Sequence, residues 1–129
     1  MSVQLAAKRN PSYAEALNDL IIDSIQDIKG KKSVKLDMRN LHDAPADFFI
    51  ICEGDSNTQV KAISENIYKR LKEEAGQRPS HSEGKQNARW ICMDYFDIVV
   101  HVFYKETRQF YELEDLWSDA KMTEYANVG

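Results

Sequence analysis

The stretch Phe48–Leu71, FFIICEGDSNTQVKAISENIYKRL, decides the fold. Its first five residues, Phe48 to Cys52, are apolar in unbroken succession, which suits a central strand covered on both faces rather than an edge strand with one wet side. Within four residues the pattern changes to a helical one. Ser56 and Gln59 stand three apart in a capping-box arrangement, and Val60, Ile63, Ile67 and Leu71 then recur at the spacing of one helix face. Ala75-Gly76 is placed to end that helix. A buried strand running straight into an amphipathic helix predicts an α/β arrangement.

Working outward from this unit, NPSYAEALNDLIIDSIQDIKGKK, Asn10–Lys32, reads as an earlier helix. Ser12 and Glu15 form another capping-box pattern, and Leu17, Leu20, Ile21, Ile25 and Ile28 share one face. Gly30 is placed to stop it, with Lys29, Lys31 and Lys32 near the negative end of its dipole. SVKLDM alternates Val34, Leu36 and Met38 as a half-buried strand does, and RNLHDAPAD is a polar turn. Downstream, QRPSHSEGKQN reads as a loop. ARWICMD and DIVVHVFY read as two strands joined by a tight turn at Tyr95-Phe96. KETRQFYELEDLWSDA is a final helical stretch broken near Glu112, and KMTEYANVG is expected to be a loose tail. The predicted order is α-β-β-α-β-β-α: a mixed β-sheet with helices packed on it, in one domain over residues 1–129 with short loose termini.

Composition narrows the functional classes. The chain has 129 residues, 43% hydrophobic and 29% charged, enough to bury a core without disulfides or metal. Cys52 and Cys92 each lie in an apolar strand and read as small buried hydrophobes of a reducing compartment. No apolar run approaches membrane-spanning length, and the opening MSVQLAAKRNPSYAEAL carries no secretory pattern, so the expected address is cytoplasmic. The net charge of −4 is unevenly distributed: Asp94–Asp119 holds seven acids against Lys105 and Arg108, a net −5, leaving +1 for the rest. An acidic C-terminal third is a poor footprint for phosphate backbones, so little direct nucleic-acid binding is expected. It suits a basic protein partner or a merely solvated face.

Candidate chemistry is sparse. His42, His81 and His101 fall in a turn, a loop and a strand, with no spacing that makes a metal site, and no nucleophile elbow, Walker loop or dinucleotide fingerprint occurs. The best enzymatic alternative is CEGDSN, where Glu53 and Asp55 could ligate magnesium in a metal-dependent nucleotide-handling enzyme. Asp55 brings negative charge to a helix start, however, and Ser56 is already explained as a cap. His101 shares a strand face with Asp97, Val99 and Phe103, while Trp90, Cys92 and Asp94 share a face of the preceding strand. On these residues alone His101 fits a hydrogen-bonded histidine at a sheet–helix boundary, and its aromatic and acidic neighbours look more like a binding surface than a catalytic one.

DFFIICEGDSNTQVKAI, SEGK and above all WICMDYFDIVVHVFYKETRQFYELEDLW together resemble the ribosomal silencing factor family, also called the Iojap family, from about Tyr13 to Trp117. The resemblance implies a nucleotidyltransferase-like α/β fold lacking that superfamily's catalytic carboxylates: here Asp94 and Asp97 are three apart and on opposite faces. It implies no cofactor and no enzymatic activity. It implies instead a translational repressor that binds the large ribosomal subunit through its fourteenth protein and sterically blocks joining with the small subunit. The family's contact region falls by position on Trp90, Ile91, Asp94 and Tyr95, with His101 and Phe103 beside them, and the resemblance allows a homodimer in isolation. Two positions depart from the family pattern. Phe96 stands where many members have glycine, which predicts a strained left-handed residue, and Tyr104 replaces a frequent second histidine.

Overall fold

A strand with apolar side chains on both sides is stable only if layers cover both faces of its sheet, and the architecture follows from that demand. The computed structural model describes residues 11–128. Helix α1 spans Pro11–Asp27, β1 Lys31–Asp37, β2 Phe48–Gly54 and α2 Asn57–Ala75. Then come β3 His81–Glu83, β4 Trp90–Asp94, β5 Ile98–Tyr104, the short helices α3 Lys105–Tyr111 and α4 Leu113–Leu116, and β6 Lys121–Glu124. The six strands form one mixed sheet in the order β3-β4-β5-β2-β1-β6. Every residue of β2 is buried. It pairs in parallel with β5, Ile51 opposite His101, and antiparallel with β1, so the apolar run does occupy the centre. The remaining pairings are antiparallel.

One face of the sheet packs under α1 and α2. Ile21, Ile25, Ile63, Ile67 and Leu71 meet Ile50, Ile91, Val100 and Val102 there. The opposite face is a smaller core in which Leu36, Phe49, Ile51, Phe103 and Leu113 pack under the α3–α4 segment and the loop after β1. Strand alternation assigns these sides as expected: Ile98, Val100 and Val102 to the helices, Val99, His101 and Phe103 to the other face.

Local details show why the chain turns where it does. Ser56 caps α2 by accepting the N–H of Gln59 at 3.0 Å. The Gln59 side chain reaches back one residue further than a standard capping box, accepting the N–H of Asp55 at 2.6 Å. Its amide also donates to the carbonyls of Ile28 and Lys29, so one side chain serves the start of α2 and the exposed end of α1. Gly76, at φ +64°, closes α2 with an αL cap: its own N–H donates to Lys72 O, and the Gln77 N–H reaches on to Leu71 O. Gly30 works differently from the flexible stop expected of it. Lys29 takes the left-handed turn, at φ +59°, whereas Gly30 lacks a Cβ because one would lie 2.4 Å from Ile25 Cγ2 and 3.2 Å from Ile63 Cδ1. Close approach between α1 and α2, more than backbone freedom, demands glycine there.

Three local expectations are corrected. The first helix already runs at Pro11, so Ser12, expected as its cap, lies within it. The 77–87 stretch contains β3, which adds to the β4 edge. The C-terminal stretch beyond α4 is not wholly loose: Lys121–Glu124 pairs with β1, Thr123 opposite Lys35, and Lys32 N–H donates to Asn127 Oδ1 at 2.8 Å just after it. All four residues of β6 are exposed, so hydrophobic periodicity carries no trace of this strand, which is held by backbone pairing.

Candidate functional site

The alternation of β4 and β5 divides the six residues marked out by the sequence. Ile91 faces α1 and α2 and is fully buried, and Tyr95 is buried in the same core at 5% exposure. Burial pushes the Tyr95 hydroxyl well above the usual phenol range. These two side chains hold strand β4 against the helices and offer a partner almost no surface. Trp90 and Asp94 point to the other face and are half-buried, as are Cys92 between them and Val99 on β5. Together they form a strip of sheet that α3 and α4 leave open. His101 and Phe103 lie beneath it, at 5% and 0% exposure.

Trp90 is the centre of this strip. Its ring stacks on Phe103 at 4.9 Å between centroids and meets Tyr111 of α3 at the same distance. Its indole N–H donates to His101 Nδ1 at 3.0 Å. Phe49 packs edge-on to the histidine at 4.6 Å and also touches Trp117, so aromatic contacts run from the open strip to the end of α4. Burial depresses the His101 pKa to about 4, so the ring is neutral at neutral pH. The opening between the 84–90 segment and α3 is a groove of about 630 Å³ walled by Trp90, Tyr104, Phe110 and Tyr111. Phe110 and Tyr111 are the exposed rim, at 73% and 54%.

Asp94 has a structural duty as well. One carboxylate oxygen accepts the N–H of Phe96 at 2.9 Å, bracing the β4–β5 turn. Phe96 stands at φ +71° with its side chain 65% exposed, the strained left-handed aromatic that the sequence led us to expect. Tyr95 N–H donates to Ile98 O at 2.8 Å, which centres the turn on Phe96-Asp97 rather than Tyr95-Phe96.

The α3–α4 segment is held in place by a buried ion cluster. Arg108 donates to Glu53 at 3.2 Å, to Glu114 at 3.0 Å and to the Lys32 carbonyl at 2.7 Å, and its side chain is only 9% exposed. Glu112, at φ +48°, supplies the kink between the two helices. This cluster uses up one carboxylate of the magnesium alternative, and Lys31 pairs with the other, Asp55, at 2.9 Å. A divalent ion would have to displace both cations, so the geometry favours binding over metal chemistry here. Sinking Arg108 also sharpens the local charge. Asp97, Glu106, Glu112, Asp115 and Asp119 remain exposed, with Lys105 as the exposed cation among the Asp94–Asp119 residues.

Sequence reasoning missed Cys92 and Val99 as surface residues, although strand alternation would have found them, and it missed Phe110 and Tyr111. The position of those two depends on how α3 seats against β5 and β2, for which no local signal exists. Among the described residues no helix is long and apolar enough to cross a membrane.

The sequence model of a family described as "Ribosomal silencing factor during starvation" matches residues 11–128. A relative named Ribosomal silencing factor RsfS, from Halalkalibacterium halodurans, is 40% identical over 114 residues, covering 88% of this chain and 96% of its own. The crystal structure of a Chromobacterium violaceum protein superposes with a TM-score of 0.76 at 35% identity, covering 89% of this chain and 94% of that one. A more distant relative, the mouse protein named "Mitochondrial assembly of ribosomal large subunit protein 1", is 34% identical over 74 residues, 56% of this chain and 32% of its own length.

Proposed function

This chain belongs to the ribosomal silencing factor family, and from that premise we propose that it binds the large ribosomal subunit in the cytoplasm and represses translation by blocking the small subunit from joining. The contact runs to the large subunit's fourteenth protein through the open strip of β4 and β5, and the action is steric, with no bond made or broken. The observation that carries this reading is Trp90, half-buried on a sheet face, backed by buried aromatics and rimmed by Phe110, Tyr111 and exposed acids. Large aromatics seated on a rigid floor are what interface hot spots are made of. The acidic surround suits a basic ribosomal protein and speeds encounter with it. The mouse relative's name, which speaks of large-subunit assembly, supports the choice of subunit.

Sedimentation tests it. Purified protein should travel with large subunits and not with small ones, and should reduce the joined-ribosome peak in a sucrose gradient. Asp94→Asn keeps an oxygen for the Phe96 N–H while removing the charge, so it should weaken binding and flatten its salt dependence without moving the thermal midpoint. Association with small subunits alone, or an unchanged joined peak at saturating protein, would overturn the reading.

A further inference from the structure

We propose that His101 is a positioning residue for Trp90: its neutral ring holds the indole edge inward so that the aromatic face is presented on the open strip. This deepens the binding role proposed above and rests on it for its functional consequence. The chemistry of the contact dictates the state of both rings. An indole N–H can only donate, so the His101 Nδ1 that lies 3.0 Å away must carry its lone pair, which puts the imidazole proton on Nε2. That Nε2 is buried and has no hydrogen-bond partner among the described residues. A buried, unanswered N–H is a cost that valine or leucine at the same inward position would avoid. Its neighbours on the same face of β5 are Val99 and Phe103, so an apolar side chain would fit the pattern there.

What the histidine supplies in return is the acceptor. Trp90 begins β4 at the rim of the sheet, where a half-buried indole could otherwise turn its N–H to water and swing its ring off the strip. Three contacts remove that freedom: stacking on Phe103, the edge of Tyr111, and the bond to Nδ1. The first two are non-directional, and only the third selects which edge of the indole points inward. Phe49, packed edge-on against the imidazole, keeps the acceptor in place. Trp90 therefore meets a partner with its ring orientation already chosen, which lowers the ordering cost of binding.

The test compares full-length His101→Leu and His101→Asn. Leucine removes the acceptor and keeps an apolar volume, whereas the asparagine amide oxygen stands near the lost Nδ1. The first readout is the Trp90 indole N–H resonance and its hydrogen exchange, assigned by Trp90→Phe and separated from Trp117. His101→Leu should move that resonance toward a solvent-exposed value and speed its exchange, and His101→Asn should restore both in large part. The second readout is affinity for large subunits, which His101→Leu should weaken by about five- to tenfold, the worth of one hydrogen bond. In a Trp90→Phe background His101→Leu should change affinity no further, and Trp90→Phe alone carries the test should His101→Leu fail to fold. A folded His101→Leu protein with the indole signal and affinity of the parent would overturn the proposal. So would an affinity loss that persists in full without the indole. Should the unmutated protein itself not bind large subunits, the functional reading falls, and the indole resonance still decides whether His101 holds Trp90.

Discussion

Acidification singles out His101 among the titrating groups. Burial lowers its pKa from 6.5 to about 4 in the folded protein. Above the ordinary value the ring is neutral in both states and stability does not depend on it. Below that value the unfolded chain takes up a proton that the folded chain refuses, so stability falls as the pH drops and stops falling near pH 4, once the folded ring protonates as well. The loss is about 1.4 kcal/mol near pH 5.5 and approaches roughly 3 kcal/mol at the acid end of the window. Because protonation also turns Nδ1 from acceptor to donor, the Trp90 bond is lost in the same step. Urea unfolding at a series of pH values, run in parallel on the unmutated protein and His101→Leu, isolates the effect. Asp37, Asp55 and Glu74, whose pKa values are lowered by Arg39, Lys31 and Arg70, are common to both proteins and cancel in the difference. The unmutated protein should lose stability relative to His101→Leu steadily from about pH 6.5 downward, with a relative midpoint shift on the order of 1 M urea near pH 5.5. Curves that stay parallel across this window would refute the neutral, buried histidine.

Tyr95→Ala should cost about 3–5 kcal/mol, since it empties a core position, and any loss of ribosome binding should follow the loss of fold in a melting curve. Phe96→Gly should raise stability by about 1 kcal/mol, because it releases a left-handed strain of roughly 1–2 kcal/mol and gives part of that back as glycine's greater freedom in the unfolded chain. A lower denaturation midpoint for Phe96→Gly would mean that the aromatic ring contributes more than its backbone costs. Arg108→Ala should destabilise by about 3–5 kcal/mol by leaving Glu53 buried without its cation, and Arg108→Ala with Glu53→Gln should recover a part of that, measured by urea titration.

Where one residue's chemistry settles its environment, the sequence by itself determined the outcome. The unbroken apolar run at Phe48–Cys52 could only be satisfied in mid-sheet, and it lies between β1 and β5. The helix faces, the Ser56 cap, the break at Glu112 and the left-handed Phe96 were equally local, and so were legible. The family motif likewise marked the stretch of chain on which the proposed contact lies. Only the tertiary structure decided which of its residues has a surface. Trp90 and Tyr95 look alike as aromatics five positions apart, yet odd spacing sends them to opposite faces, and the helices cover one face more completely than the other. The same limit explains β6 and the Phe110–Tyr111 rim. A fully exposed edge strand is held by backbone bonds that any side chains permit, and the seat of α3 is set by Arg108 reaching Glu53 and Lys32, 55 and 76 residues away along the chain. Periodicity records what each segment buries, whereas long-range ion pairs and backbone pairing leave no period to read.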